Sequence, residues 1–331
     1  MSRGAADLEP LLNRLLARER RDFERVMPVD AKQEEITERL IVPALPALEA
    51  EFLALREEID REMRRQLEAN PTSAIKGDPS RYPKGYCLPI TIRSFERFVA
   101  RGLGAARSEA FDAVWRFHEA GGVVGRVWGV LREQYFQNAM QFGSLYFDVA
   151  NDTVDVRKPK IEHMPLATSG FRNVESIADF AAIGERYWKC RIHPNLYFPR
   201  MMPVAPLVRI DADRERLSLC SFNVSMWRRS IDEGFRESET RLCDEARRGR
   251  RLPEPWLERL ETYRREHWPK SPSPPREGLD EAAIRQAFEQ ARAIAREGDA
   301  SEGYFDRLSD AARSVEVFGE FAEDPAAGGL P

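Results

Sequence analysis

The stretch YPKGYCLPIT, residues 82–91, places a cysteine where a turn becomes a helix. Gly85 allows a tight approach of the chain, and Pro89 has the fixed φ angle that suits a first helical turn. Apolar residues then recur at helical spacing as far as Val99. Cys87 is therefore expected at a helix N-terminus, where unpaired N–H groups stabilise a thiolate and lower the thiol pKa. The alternative is a cysteine that serves as a small buried apolar residue.

A second informative stretch, residues 132–155, reads REQYFQNAMQFGSLYFDVANDTVD. Aromatic and apolar residues dominate both halves, and Gly143-Ser144 between them is typical of a turn. Asn151-Asp152 then ends the second half with side chains suited to turns. This pattern predicts a β-hairpin, preceded by a strand at residues 123–131, although a helix through the region competes with it.

A cysteine at a helix start followed by a hairpin that ends in an aspartate resembles the core of papain-like and transglutaminase-like cysteine proteins. The resemblance covers residues 80–165. It implies that Cys87 is the nucleophile and that Asp148 or Asn151 orients a catalytic histidine. It also reserves a place for that histidine on the intervening strand. There the chain reads FQNA, residues 136–139, so the histidine position is not matched.

The missing histidine leaves two readings of the site open. A cysteine enzyme needs a base that takes the thiol proton and later returns it to the leaving group, and an amide side chain cannot do so. Either His163 supplies the base from a third strand, or the scaffold is degenerate. Gln137 and Asn138 are then candidate oxyanion donors. His193, in a proline-rich stretch predicted to be an irregular loop, is a further candidate base.

Composition narrows the classes of function. The chain has 331 residues, of which 42% are hydrophobic and 32% charged, and its 51 basic and 55 acidic residues give a net charge of −4. This balance does not favour nucleic acid or an anionic membrane as a partner.

No apolar run reaches the roughly 20 residues that span a bilayer, and the N-terminus does not resemble a signal peptide. Four cysteines without a CxxC pair are typical of a reducing cytoplasm, which is the expected location.

The predicted fold class is α+β, with a small antiparallel sheet packed on the cysteine-bearing helix and long helices at both ends of the chain. The expected organisation is a helical arm at 1–69, an α+β core at 70–220, a helical region at 221–323 and a disordered tail at 324–331. Helices are predicted at 8–27 and 31–68, the second with a break or kink near Pro43 and Pro46. In the C-terminal region, helices are predicted at 221–248, 255–267 and 280–297. A homodimer through the N-terminal helices remains open.

Motifs for nucleotide binding, phosphate loops and zinc peptidases are absent from the sequence, so no cofactor or metal is expected. The acidic cluster at residues 148–155 lacks the spacing of a calcium-binding EF-hand loop.

Two functions follow. The first is a cysteine-dependent acyl transferase or hydrolase that acts on an amide or ester of a small molecule or peptide. The second is a non-catalytic binding or adaptor protein that engages a protein partner through its N-terminal helices.

Overall fold

The computed structural model describes residues 25–71, 79–102, 107–211, 216–220, 222, 224–267 and 276–296. These residues form two compact units, which meet in sequence between Asn173 and Val174. This division differs from the boundaries expected at 69/70 and 220/221. Most of the predicted first helix, residues 8–24, and the predicted disordered tail lie outside the described residues.

The first unit contains a five-stranded antiparallel sheet with the strand order β4-β3-β2-β1-β5. The predicted hairpin is present: β2 and β3 pair with Met140 opposite Phe147, and Gly143, at a φ of 58°, lies in the turn between them. The predicted preceding strand is β1, which pairs with β2 along its whole length. The strand bounds are β1 Val124–Leu131, β2 Tyr135–Phe142, β3 Leu145–Asp148, β4 Glu162–Pro165 and β5 Phe171–Arg172.

Within the described residues, four α-helices precede this sheet in the chain, and a short one follows β4. Asp30 caps the first helix by accepting a hydrogen bond from the Gln33 N–H group, as residues of its type do at helix N-termini. A 3-10 turn at Val42–Ala44, which contains Pro43, separates the first two helices, in line with the predicted break. The helix bounds are α1 Ala31–Leu40, α2 Leu45–Ala69, α3 Cys87–Gly102, α4 Glu109–Glu119 and α5 Leu166–Ser169.

One face of the sheet and the apolar stripes of the helices form a shared core. Phe52 of α2 stacks on Phe98 of α3 at 4.7 Å between ring centroids and packs against Phe147 of β3 at 5.2 Å. The helices of residues 31–69 therefore bury their apolar faces in the same core as the sheet. The α+β fold class predicted from sequence is confirmed, including the packing of the cysteine-bearing helix on the sheet.

A buried ion cluster lies between α2 and the end of β3. The side chain of Arg56 is fully buried and donates to both carboxylate oxygens of Asp152, at 2.8 and 3.0 Å, and to the Val149 carbonyl oxygen at 2.9 Å. Its Nε donates to Asp60 Oδ1 at 2.7 Å, and Lys160 Nζ lies 2.7 Å from Asp60 Oδ2. Two cations and two carboxylates thus balance in charge, as burial requires.

The second unit has a three-stranded antiparallel sheet with the order β6-β7-β8, which the sequence analysis did not predict. The irregular loop predicted at residues 192–203 is wrong at its start, because His193 lies in β6 and pairs with Val208 of β7. It is correct after Pro194, since residues 195–203 form neither helix nor strand. The strand bounds are β6 Arg191–Pro194, β7 Leu207–Asp211 and β8 Arg216–Cys220.

The helices of the second unit largely follow the predicted pattern. The helix predicted at 221–248 is interrupted, because Gly234 and Phe235 adopt positive φ angles of 63° and 61°. The helix bounds are α6 Ile177–Trp188, α7 Val224–Asp232, α8 Arg236–Arg247, α9 Glu254–His267 and α10 Glu281–Arg296.

Across the part of the chain that the structure describes, none of the helices is both long and apolar enough to cross a membrane.

Arg56 and Arg39 provide a matched test of the ion cluster, because each pairs with a carboxylate four residues away in a helix, one pair being buried and the other exposed. We expect Arg56→Met to lower the free energy of unfolding by about 3–5 kcal/mol, because it leaves buried carboxylates uncompensated. Arg39→Met should change it by less than about 1 kcal/mol. Urea unfolding measures both. Equal effects would contradict the structural role assigned to the cluster.

Candidate functional site

Cys87 is the first residue of α3, and the turn before it is held from two sides. Gly85 has a φ of 78°, which favours glycine, and its N–H group donates to the Thr153 carbonyl oxygen at 3.0 Å. The Tyr86 carbonyl oxygen accepts from the Ile90 N–H group at 3.1 Å. Because Ile90 is also buried in the core, the start of α3 has a defined position against the sheet. The predicted turn-to-helix setting of Cys87 is confirmed.

The structure brings Cys87 together with Asn138 of β2. Asn138 Nδ2 donates to Cys87 Sγ at a distance of 3.2 Å. One turn further along α3, Thr91 Oγ1 donates to the Asn138 carbonyl oxygen at 3.3 Å. The first turn of α3 therefore binds the same residue of β2 twice. Asn138 lies beside the thiol, at the place where the papain-like and transglutaminase-like resemblance implies a histidine.

The expected lowering of the Cys87 pKa is wrong. Burial of the sulfur has the largest effect and raises the thiol pKa. The hydrogen bond from the Asn138 side chain lowers the pKa, the negative charge of Asp148 raises it, and backbone N–H groups, including that of Leu88, lower it. The net direction is upward, so the local donors of the helix start do not compensate for desolvation. Cys87 nevertheless retains some exposed surface, whereas Cys190, Cys220 and Cys243 are buried.

Asp148 and Gln137 form a separate polar group. Adjacent residues of a strand point to opposite faces of a sheet, so Gln137 faces away from Asn138. Gln137 Nε2 donates to Asp148 Oδ2 at 2.7 Å, Tyr146 Oη donates to the same oxygen at 3.0 Å, and the Ala150 N–H group donates to Oδ1 at 2.7 Å. Gln137 thus binds Asp148 rather than Cys87. Burial of the carboxylate raises the Asp148 pKa to about 6, although these three hydrogen bonds lower it.

His163 lies in β4 opposite Phe147, and its ring stacks on that of Phe147 at 5.9 Å between centroids. His163 Nε2 is 3.6 Å from Glu49 Oε2 of α2. Among the residues that the structure describes, the side chain that meets the Cys87 sulfur through a hydrogen bond is Asn138, and His163 makes its contacts with Glu49 and Phe147. His193 belongs to β6 of the second unit.

Arg56 and Asp60 were not predicted as residues of this region, and the bond of Tyr82 to Asp60 was not predicted either. Tyr82 Oη donates to Asp60 Oδ1 at 2.6 Å, so the segment before Cys87 connects to the buried ion cluster. A signal was present in the sequence. Arg56 and Asp60 are four residues apart and occupy the apolar stripe of α2, where Arg56 follows Phe52 at helical spacing. Charged residues on a stripe that must be buried indicate a buried ion pair.

The acidic residues at the end of β3 and directly after it bind other groups of the protein. Asp152 binds Arg56, Asp148 binds Gln137 and Tyr146, and Asp155 pairs with Arg157 at 2.7 Å. Within the described ranges of the chain, no group of three or more histidine, cysteine or acidic residues is arranged to hold a metal ion.

Comparison with known proteins gives no relative: no family model, curated protein or solved structure matches this chain.

The raised pKa of Asp148 predicts a pH dependence of stability. Its folded-state pKa of about 6 exceeds the ordinary value of 3.8, so the folded protein binds this proton more tightly. The resulting stability is fully present below the ordinary pKa and is lost as the pH rises towards about 6. Between pH 4 and 7 the wild type should therefore lose about 2 kcal/mol of unfolding free energy relative to Asp148→Asn.

Urea unfolding of both proteins across this range, followed by tryptophan fluorescence, measures the difference. The pKa of Asp60 is lowered, so the stability that Asp60 contributes is lost mainly as the pH falls below the ordinary carboxyl pKa, and because both proteins contain Asp60 this loss cancels from the difference. Parallel stability curves for the wild type and Asp148→Asn would show that the carboxyl group is not desolvated as described.

Proposed function

We propose that this chain is a non-catalytic binding or adaptor protein on a degenerate papain-like or transglutaminase-like scaffold. The observation that carries the proposal is the hydrogen bond from Asn138 Nδ2 to Cys87 Sγ. An amide nitrogen donates hydrogen bonds and has no lone pair that accepts a thiol proton under ordinary conditions. With Asn138 at this position, the thiol has a hydrogen-bond donor where a cysteine enzyme needs a base.

The electrostatics of Cys87 support the same proposal. The thiolate, rather than the thiol, is the nucleophile in cysteine chemistry. Because the Cys87 pKa is raised, the neutral thiol predominates at pH 7. A neutral thiol beside an amide can contact a small molecule or peptide without attacking it. A protein partner would engage the polar outer surfaces of α1 and α2, where Leu53 is among the exposed large apolar side chains.

The second candidate is a cysteine-dependent acyl transferase or hydrolase that acts on an amide or ester. It is favoured by the partial exposure of Cys87 at the start of α3, next to the Leu88 N–H group and the Asn138 amide, which could stabilise a developing negative charge. In that enzyme Cys87 is the nucleophile and Asn138 an oxyanion donor. Gln137 and Asp148, the other expected donor and the expected orienting acid, bind each other on the opposite face of the sheet and would have to change position to take part. His163 would have to leave Glu49 to act as the base.

Both candidates fit a cytoplasmic protein, which we propose because the four cysteines are free thiols.

Replacing Asn138 by histidine tests the first candidate directly. The imidazole would stand at the thiol and accept its proton, so we expect Asn138→His to lower the Cys87 pKa and to accelerate its alkylation at pH 7 by about tenfold or more. Asn138→Gln is the matched control, because it retains an amide. Iodoacetamide labelling across pH 6–10, read for each cysteine by mass spectrometry, measures the rates. A wild-type rate at pH 7 above that of a free cysteine would contradict the neutral thiol.

The second candidate makes a different prediction for His163. If the wild type hydrolyses p-nitrophenyl acetate through an acyl adduct on Cys87, His163→Ala should abolish turnover and raise the Cys87 pKa further, while the unfolding midpoint stays unchanged. Glu49→Gln is the control for loss of the ion-pair partner alone. Turnover that requires both Cys87 and His163 would establish the enzyme and rule out the binding protein. Absence of any acyl adduct on Cys87 would contradict the enzyme and support the non-catalytic binding protein.

A further inference from the structure

The segment before Cys87 is connected to Arg56 by two routes of hydrogen bonds. In the first route, Arg56 binds both oxygens of Asp152, and the neighbouring Thr153 carbonyl oxygen accepts from the Gly85 N–H group at 3.0 Å. Gly85 lies two residues before Cys87. The first route therefore links the guanidinium group to the backbone of the turn that starts α3.

The second route runs through a side chain. Arg56 Nε and Tyr82 Oη both donate to Asp60 Oδ1, at 2.7 and 2.6 Å. The Tyr82 ring then packs edge-on against that of Tyr86 at 5.1 Å between centroids, directly before Cys87. Both rings are almost completely buried. This route sets the position of the same segment through side chains, in addition to the backbone contact of the first route.

Arginine suits this position for a geometric reason. Its planar guanidinium group presents donors in fixed directions, and Arg56 uses Nε, Nη1 and Nη2 for two carboxylates and one carbonyl oxygen. A lysine would supply the charge but not the two parallel bonds to Asp152. The same side chain also binds the Val149 carbonyl oxygen next to Asp148, so it connects the cysteine turn with the end of β3.

We propose that Arg56 and Tyr82 are positioning residues of the Cys87 site, which hold the cysteine turn so that the Cys87 sulfur keeps its contact with Asn138. The sulfur keeps its contact with Asn138 only while the turn at residues 82–87 holds the position that these hydrogen bonds give it. Release of the turn would expose the thiol to water, remove the main cause of its raised pKa and admit larger reagents. The inference rests on the proposed function only in treating Cys87 as the centre of the site.

Tyr82→Phe is the discriminating variant, because it removes one hydroxyl group and keeps the buried ring. We expect it to raise the alkylation rate of Cys87 at pH 7 by roughly tenfold, since the hydroxyl bonds a charged carboxylate and its loss raises the population of the open turn accordingly. The pH midpoint of Cys87 alkylation should also fall towards the value of a free thiol. Tyr197→Phe is the matched control, because Tyr197 Oη accepts from the Leu252 N–H group in the second unit. It should leave Cys87 unchanged.

Arg56→Lys extends the test, and we expect it to raise the alkylation rate of Cys87 more than Tyr82→Phe does. If this variant does not fold, Tyr82→Phe still decides the question. The readout is the rate and pH midpoint for Cys87 relative to Cys190, Cys220 and Cys243, together with the unfolding midpoint. A Tyr82→Phe protein with a lower unfolding midpoint but an unchanged Cys87 pH midpoint would overturn the proposal. Because Tyr82→Phe changes a residue outside the Cys87–Asn138 pair and its readout needs neither turnover nor a partner, failure of this proposal can be distinguished from failure of the proposed function.

Discussion

The buried guanidinium group of Arg56 is the constraint on which the first unit depends. It brings a full positive charge into a core of aromatic and aliphatic side chains, where a charge is stable only if groups of opposite charge bind it directly. Asp152 and Asp60 supply that compensation, and Lys160 balances the second carboxylate. The network raises the pKa of Arg56 despite the opposing effect of its burial, so the charge is retained in the core. Helix α2, the cysteine turn and the end of β3 must therefore adopt one mutual arrangement.

That arrangement explains why the thiol and the amide meet. Helix α3 begins at Cys87, and its first turn contacts β2 through the Cys87 sulfur and the Thr91 hydroxyl group, both on Asn138. Burial then dominates the electrostatics of the thiol, and the N-terminal N–H groups do not reverse it. On the other face of the sheet, the Asp148 carboxylate is desolvated in the same way and is held by Gln137 and Tyr146. Asn138 and Gln137 are adjacent in sequence, but Asn138 binds the thiol on one face of the sheet and Gln137 binds the Asp148 carboxylate on the other.

Local patterns predicted the elements around the site well. The Gly-x-Cys turn, the Gly143-Ser144 turn and the aromatic and apolar content of the segments beside it are properties of short segments, so the start of α3 and the β2–β3 hairpin could be predicted from them. The three-stranded sheet of the second unit escaped prediction. Its first strand ends in a proline, and its pairing joins residues far apart in the chain, such as His193 with Val208.

The sequence by itself determined the α+β class, the position of Cys87 at a helix start and the absence of a histidine from the expected place in β2. Only the tertiary structure decided that Asn138 meets the sulfur, that Gln137 faces Asp148 instead, and that the thiol pKa is raised. The physical reason is that helix propensity and turn geometry act over a few residues, whereas desolvation and ion pairing depend on which distant segments surround a group. Arg56 and Asp152 lie almost a hundred residues apart, and their contact exists only in the folded chain.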